Sequence, residues 1–188
     1  MLVLLAAAAL VASVVTAAGD AGSKVGINCV QPLDLYSNFQ DLSYCNLKGV
    51  TIDGNVPVPG SNPLYGSNLT GANLMGATVQ GGYKPLQFAN LSGANLKGAT
   101  LGGGPNELGV LQSANLTRAN LSGATIRGSR PLSATNLTGA NLLGASISGS
   151  TFPSDEPLAD AIYDNTTCPD GANSDNVGGT CIGHGVPG

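Results

Sequence analysis

The chain has 188 residues and a formal net charge of −4, but only 10% of it is charged, 4% is aromatic and tryptophan is absent. With three Phe and five Tyr, a core has to be built from Leu, Ile, Val and Ala. The 28 Gly and 11 Pro demand many turns, which argues against an ordinary packed globule and for repetition.

Taken from the start, Leu2 to Ala17 is a run of Ala, Leu and Val, and the small-residue pairs Val15/Ala17 and Thr16/Ala18 each suit a signal-peptidase cut. Residues 1–18 read as a signal peptide, although no Lys or Arg precedes Leu2; a signal anchor or a buried strand is the alternative. A spanning helix wants about 20 apolar residues. The run is shorter, so no stable membrane insertion is expected after cleavage.

Four cysteines form two near-terminal pairs, Cys29 with Cys45 and Cys168 with Cys181. The even number and the export signal favour disulfides. Zinc is the competing reading, but Cys168 and Cys181 lack a local His partner, and the single histidine is His184.

Between these pairs runs a period of five. Ser67-Asn68-Leu69-Thr70-Gly71 is followed by Ala72-Asn73-Leu74-Met75-Gly76 and Ala77-Thr78-Val79-Gln80-Gly81. The triplet returns around Leu91, Leu96 and Leu101, then around Leu116, Leu121 and Ile126, and then around Leu137, Leu142 and Ile147. A looser copy holds Leu42, Leu47 and Ile52. Side chains of a strand alternate faces, so the small residue two before each Leu shares its face, while the Leu five away points oppositely. If every Leu is buried, the backbone must turn within each pentad, and the glycine ending most pentads allows it. The result is a coil.

After each triplet come an irregular stretch and a fourth apolar position: Leu64, Leu86, Leu111, Leu132 and Leu158. Each coil therefore has four sides. First-side residues Leu42, Leu69, Leu91, Leu116, Leu137 and Tyr163 lie 27, 22, 25, 21 and 26 residues apart. Beyond the twenty residues of four pentads, this leaves insertions of 7, 2, 5, 1 and 6, all between the third and fourth sides. Their loops, 53–62, 80–84, 102–109, 127–130 and 148–156, would stack along one edge, the place expected to carry specificity. The candidate binding residues there are Asp53, Tyr83, Lys84, Asn106, Glu107, Arg127, Arg130, Asp155 and Glu156. At about 4.8 Å per coil, five coils make a rod of roughly 24 Å. The expected organisation is an N-terminal cap at 25–41, the repeat array at 42–163, and a C-terminal cap and tail at 164–188.

From Gln40 to about Pro153, copies such as Ala114-Asn115-Leu116-Thr117-Arg118-Ala119-Asn120-Leu121-Ser122-Gly123 resemble the pentapeptide-repeat family. The resemblance implies an all-β fold, a right-handed quadrilateral parallel β-helix. The tail Asn165-Thr166-Thr167-Cys168-Pro169-Asp170-Gly171 also looks like the C-terminal segment of exported bacterial members. That fold hosts many unrelated roles.

Members that mimic DNA to bind topoisomerases need a carpet of carboxylates. From Leu42 to Ser154 only Asp53 and Glu107 are acidic, against Lys48, Lys84, Lys97, Arg118, Arg127 and Arg130, a local balance of +4. No nucleic-acid partner is expected. On the first side, Asn68, Asn90, Asn115 and Asn136 with Thr70, Ser92, Thr117 and Thr138 could form an ice-, glycan- or mineral-binding array. Alternatively, they form the ladders that hold the coils. The third side carries Thr51, Thr78, Thr100, Thr125 and Ser146 beside Ile52, Val79, Ile126 and Ile147, which suits strand propensity.

His184 lies in a Gly-rich tail, no cysteine is expected to be free, and the neighbours Asp155 and Glu156 read as solvated, so the chain is expected not to be an enzyme and to need no cofactor. Asp170, Asn173, Asp175 and Asn176 offer oxygen ligands but not at EF-hand spacing, and a turn-rich cap explains them without a metal. Asn68, Asn90, Asn115, Asn120, Asn136 and Asn165 begin Asn-x-Ser/Thr sequons; all but Asn165 arise from the repeat. The sequence thus points to an exported, non-catalytic scaffold whose partner is an unidentified protein or glycan.

Overall fold

The structure is a computed structural model and describes residues 38–53, 62, 64–82, 84–102, 109–129, 131–148 and 161–186. The signal segment 1–18, Cys29, Tyr83, Asn106, Glu107, Arg130, Asp155, Glu156 and the fourth-side Leu158 lie outside the described residues.

The described chain is a four-sided parallel β-helix, and its register follows from the pentads. On the first side Asp41, Asn68, Asn90, Asn115 and Asn136 pair in parallel from coil to coil, continuing to Ile162. On the second side Asn46, Asn73, Asn95, Asn120 and Asn141 do the same, ending at Thr167. The third side alone forms regular strands: β1 (Thr51–Asp53), β2 (Thr78–Gln80), β3 (Thr100–Leu101), β4 (Thr125–Arg127) and β5 (Ser146–Ser148), in the sheet order β1-β2-β3-β4-β5. β-Branched residues there favour extended backbone. The other described sides are too tightly turned for more than one bridge per coil.

Each turn has a simple cause. The carbonyl of Leu69 accepts from the N–H of Ala72 at 3.0 Å, and Leu74 does the same with Ala77. The third residue of these turns, Gly71 or Gly76, sits at φ +63 or +65, as a type II turn requires. Between turns, neighbouring coils share three bonds per pentad: Asn90 N–H to Ser67 O at 2.9 Å, Leu69 N–H to Asn90 O at 2.7 Å, and Gly71 N–H to Ser92 O at 2.9 Å. The ladder reaches from Phe39, whose N–H donates to Tyr65 O, to Pro169, whose carbonyl accepts from Gly144. Parts of both segments expected as caps are therefore stacked into the array.

The interior consists of columns. Leu42, Leu69, Leu91, Leu116, Leu137 and Tyr163 line the first side, and Leu47, Leu74, Leu96, Leu121 and Leu142 the second, all buried. Alanines two positions earlier fill the space between them, as Ala72, Ala94, Ala119 and Ala140 show. Buried Cys45 occupies that small-residue place in the first coil, and buried Cys168 takes the leucine place beyond Leu142. The cysteines are thus part of the core columns.

Two glycines with the same backbone meet different neighbours. A Cβ on Gly71 would come within 2.6 Å of the Tyr44 ring, which lies over it, whereas one on Gly76 meets nothing within 4 Å. Gly76→Ala should cost about 1–2 kcal/mol from left-handed backbone alone. Gly71→Ala should cost more, and Tyr44→Ala should remove the excess in a double-mutant cycle read by urea unfolding. Equal costs at the two sites would contradict the ring contact.

Candidate functional site

The insertion edge starts where the third-side strands end. Asp53 stands in register with Gln80, and Arg127 with Ser148, so the roots of the loops are aligned along the solenoid. Gln80 Nε2 donates to Asp53 Oδ2 at 3.3 Å, tying the first two roots together. Across the insertion, the N–H of Lys84 donates to Asn62 Oδ1 at 2.8 Å, which links consecutive loops where they re-enter the coil. Arg127 is exposed at the end of β4. Of the candidate binding residues, Asp53, Lys84 and Arg127 are described, and all three lie at the edge.

The asparagine columns have a different use. Oδ1 of Asn68 accepts from the N–H of Thr70 at 3.2 Å and from its hydroxyl at 2.7 Å, and Asn115 serves Thr117 in the same way. The side chain thereby holds the residue that opens the turn, as an Asx turn does. Amide hydrogens then bridge coils: Asn68 Nδ2 to Asp41 at 3.1 Å, Asn73 to Asn46 at 3.1 Å, and Asn115 to Asn90 at 3.3 Å. The acceptors of these columns are engaged in holding the fold.

On the third side the hydroxyls of Thr51, Thr78, Thr100, Thr125 and Ser146 point outward and make no side-chain hydrogen bond among the described residues. Beside them run Asp53, Gln80, Gly102, Arg127 and Ser148, a mixed row with both charges and no repeated chemistry.

At the C-terminal end, Cys168 and Cys181 form a disulfide, and Cys45 is disulfide-bonded too; its expected partner Cys29 lies outside the described residues. A short 3-10 turn, Ser174–Asn176, is capped by Asn173, whose side chain accepts from the Asp175 N–H. Asp175 Oδ1 accepts from Asn165 N–H at 2.8 Å, and Asn173 Nδ2 donates to Asn165 at 2.9 Å. The side-chain oxygens of Asn173 and Asp175 therefore tie the cap. No group of three or more His, Cys, Asp or Glu is placed to hold a metal among the described residues.

His184 Nδ1 lies 2.8 Å from Asp170 Oδ2, a pair that spacing gave no reason to expect. The backbone N–H of Ala172, and then His184, hold the Asp170 carboxyl below the usual carboxylate range. Its contribution to stability is present above the unfolded pKa of about 3.9 and lost as pH falls through the lower folded value. Asp41, held down by the Ser43 hydroxyl and N–H, acts in the same direction. Asp170→Asn should flatten the acid limb of the stability profile; unchanged melting curves from pH 5 to pH 2 would contradict this.

The family model for pentapeptide repeats matches in 8 copies, with residues 110–130 matched. The chain belongs to the pentapeptide-repeat family. This pentapeptide-repeat protein is similar to one from the thylakoid lumen of Arabidopsis thaliana, at 28% identity over 62% of this chain and 71% of that one, with a TM-score of 0.26. It is also similar to HetL, a pentapeptide repeat protein involved in heterocyst differentiation regulation from the cyanobacterium Nostoc, at 25% identity over 73% and 58% of the chains and a TM-score of 0.21. A third, from the cyanobacterium Cyanothece, is 23% identical over 71% of each chain, with a TM-score of 0.18. The family membership rests on the repeats and on the coil they build. No curated protein matches the chain.

One surface feature escaped the repeat. Phe39, Tyr65 and Phe88 lie in consecutive coils at the corner between the fourth and first sides, with ring centroids 5.6 Å apart and edge-to-face. Their signal was faint, because Tyr65 and Phe88 sit in irregular fourth-side pentads, one residue after buried Leu64 and two after buried Leu86, and Phe39 precedes the first regular pentad.

Proposed function

We propose that this pentapeptide-repeat protein is an exported, non-catalytic scaffold that presents its insertion edge to a protein or glycan partner. The observation supporting the reading most strongly is the in-register row of strand ends, from which insertions of unequal length leave the same edge. A rigid coil with variable loops on one rim separates stability from recognition. Export is supported by the disulfide Cys168–Cys181, since such bonds persist in oxidising compartments.

The test compares the oxidised protein with a variant whose insertions are cut to minimal turns, each immobilised and exposed to extracellular and envelope fractions. Partners retained by the parent and lost by the trimmed variant, with unchanged circular dichroism, are the expected result. Equal capture by both would place recognition elsewhere.

A further inference from the structure

The first side is not uniform along its length. In its first three coils it is bordered by aromatic rings: Phe39, Tyr65 and Phe88 along one corner and Tyr44 at the other. Phe39 is 73% exposed, Tyr44 57% and Phe88 52%. The first corner otherwise holds Gly66, Ser113 and Ala134, and the second Gly71, Gly93, Arg118 and Gly139, so the rings are confined to the start of the array. Half of the chain's eight Phe and Tyr thus stand on one surface, although all of them were available for the core. Exposed rings gathered in one place mark a contact surface.

Between the rings the floor is amide and hydroxyl. Asn68 uses one amide hydrogen on Asp41, while both of Asn90 make no hydrogen bond among the described residues. Ser92 and Thr70 hydroxyls lie 3.4 Å apart beside them. The single charge on this stretch of the first side is Asp41 at its end. Outward donors and hydroxyls, nearly neutral and flanked by flat apolar rings, match a molecule that is neutral, rich in hydroxyls and apolar on the faces of its rings. An acidic or basic peptide would find no complementary charge there.

We propose that the first three coils of side one bind a neutral carbohydrate, with Asn68 and Asn90 donating to sugar hydroxyls and sugar rings resting on Phe39 and Phe88. The stacking supplies area and the amides supply orientation, the division of labour usual at aromatic contact sites. This surface is distinct from the insertion edge, and either proposal can fail without the other.

Affinity electrophoresis of the oxidised protein through gels containing laminarin, xylan, galactomannan or dextran tests it, alongside sedimentation with insoluble cellulose and chitin. At least one neutral glycan should retard or sediment the parent protein. Phe39→Ala and Phe88→Ala should each weaken binding about tenfold. Leu143→Ala, an exposed apolar control on the second side, should leave it unchanged, as should trimming the insertions. Melting curves confirm that each variant is folded. Absence of binding to every glycan, binding insensitive to both ring deletions, or binding equally sensitive to Leu143→Ala would overturn the proposal. So would a homodimer in sedimentation that Phe39→Ala dissociates, since the rings would then belong to a self-interface.

Discussion

Leu142→Ala should lower the unfolding free energy by about 2–5 kcal/mol, whereas Leu143→Ala should change it by less than about 0.5 kcal/mol. The two leucines are adjacent, but Leu142 is fully buried in the second-side column between Leu121 and Cys168, and Leu143 is 51% exposed at the start of a turn. Removing Leu142 leaves a void that the coil cannot close, because the backbone on either side is fixed by hydrogen bonds from Leu142 N–H to Thr167 O and from Gly144 N–H to Pro169 O, each 2.7 Å. Deleting the Leu143 side chain exposes only a patch of Gly171, over which it rests. Urea titrations followed by circular dichroism separate these outcomes. Similar costs at the two positions would mean that the column is absent.

Breaking Cys168–Cys181 is the second large effect. The bond closes a segment with a sequence separation of 13, and the chain-entropy model assigns such a loop about 3 kcal/mol. Here the bond also closes the end of a solenoid. Cys168 fills the core column, its N–H donates to Ala172 O at 2.7 Å, and the chain then folds back so that Asn173 pairs antiparallel with Thr167. The paired Cys168→Ala, Cys181→Ala variant should melt at lower temperature and be cleaved first between residues 169 and 186 under limited proteolysis. Below that segment, Thr166 Oγ1 donates to Leu137 O at 2.6 Å, so proteolysis should stall at the fifth coil. Unchanged melting and no preference for the C-terminal segment would show that the cap does not close the stack.

Much of this architecture can be read from the spacing of leucines. An odd repeat that buries one large residue per unit forces a corner, and distances of 22, 25 and 21 residues between Leu69, Leu91, Leu116 and Leu137 carry directly into the bridges Asn68↔Asn90, Asn90↔Asn115 and Asn115↔Asn136. Threonine and β-branched residues on the third side also foretold where regular strands form. What spacing could not reveal is how each polar side chain divides its hydrogen bonds. The Asn68 oxygen could have faced a ligand or its own turn, and the bonds it accepts from Thr70 commit it to the turn, while only one of its amide hydrogens is spent, on Asp41. The aromatic border was hidden for another reason. Phe39 and Phe88 occupy corner positions that elsewhere hold Gly, Ser or Ala, and these corners belong to the least regular pentads. The pair Asp170 and His184 depends on a fold-back whose course no periodicity dictates.

The most direct test of the four-sided coil is residue-resolved amide hydrogen exchange on the oxidised protein. Slow exchange is predicted at the amides of Leu69, Leu74, Leu91, Leu96, Leu116 and Leu121, each bonded to an asparagine carbonyl of the following coil at 2.7 or 2.8 Å, giving protection that recurs every five residues on sides with no continuous strand. Protection confined to β1 through β5, with the first- and second-side amides exchanging freely, would contradict the stacked coil and the reading of its asparagine columns.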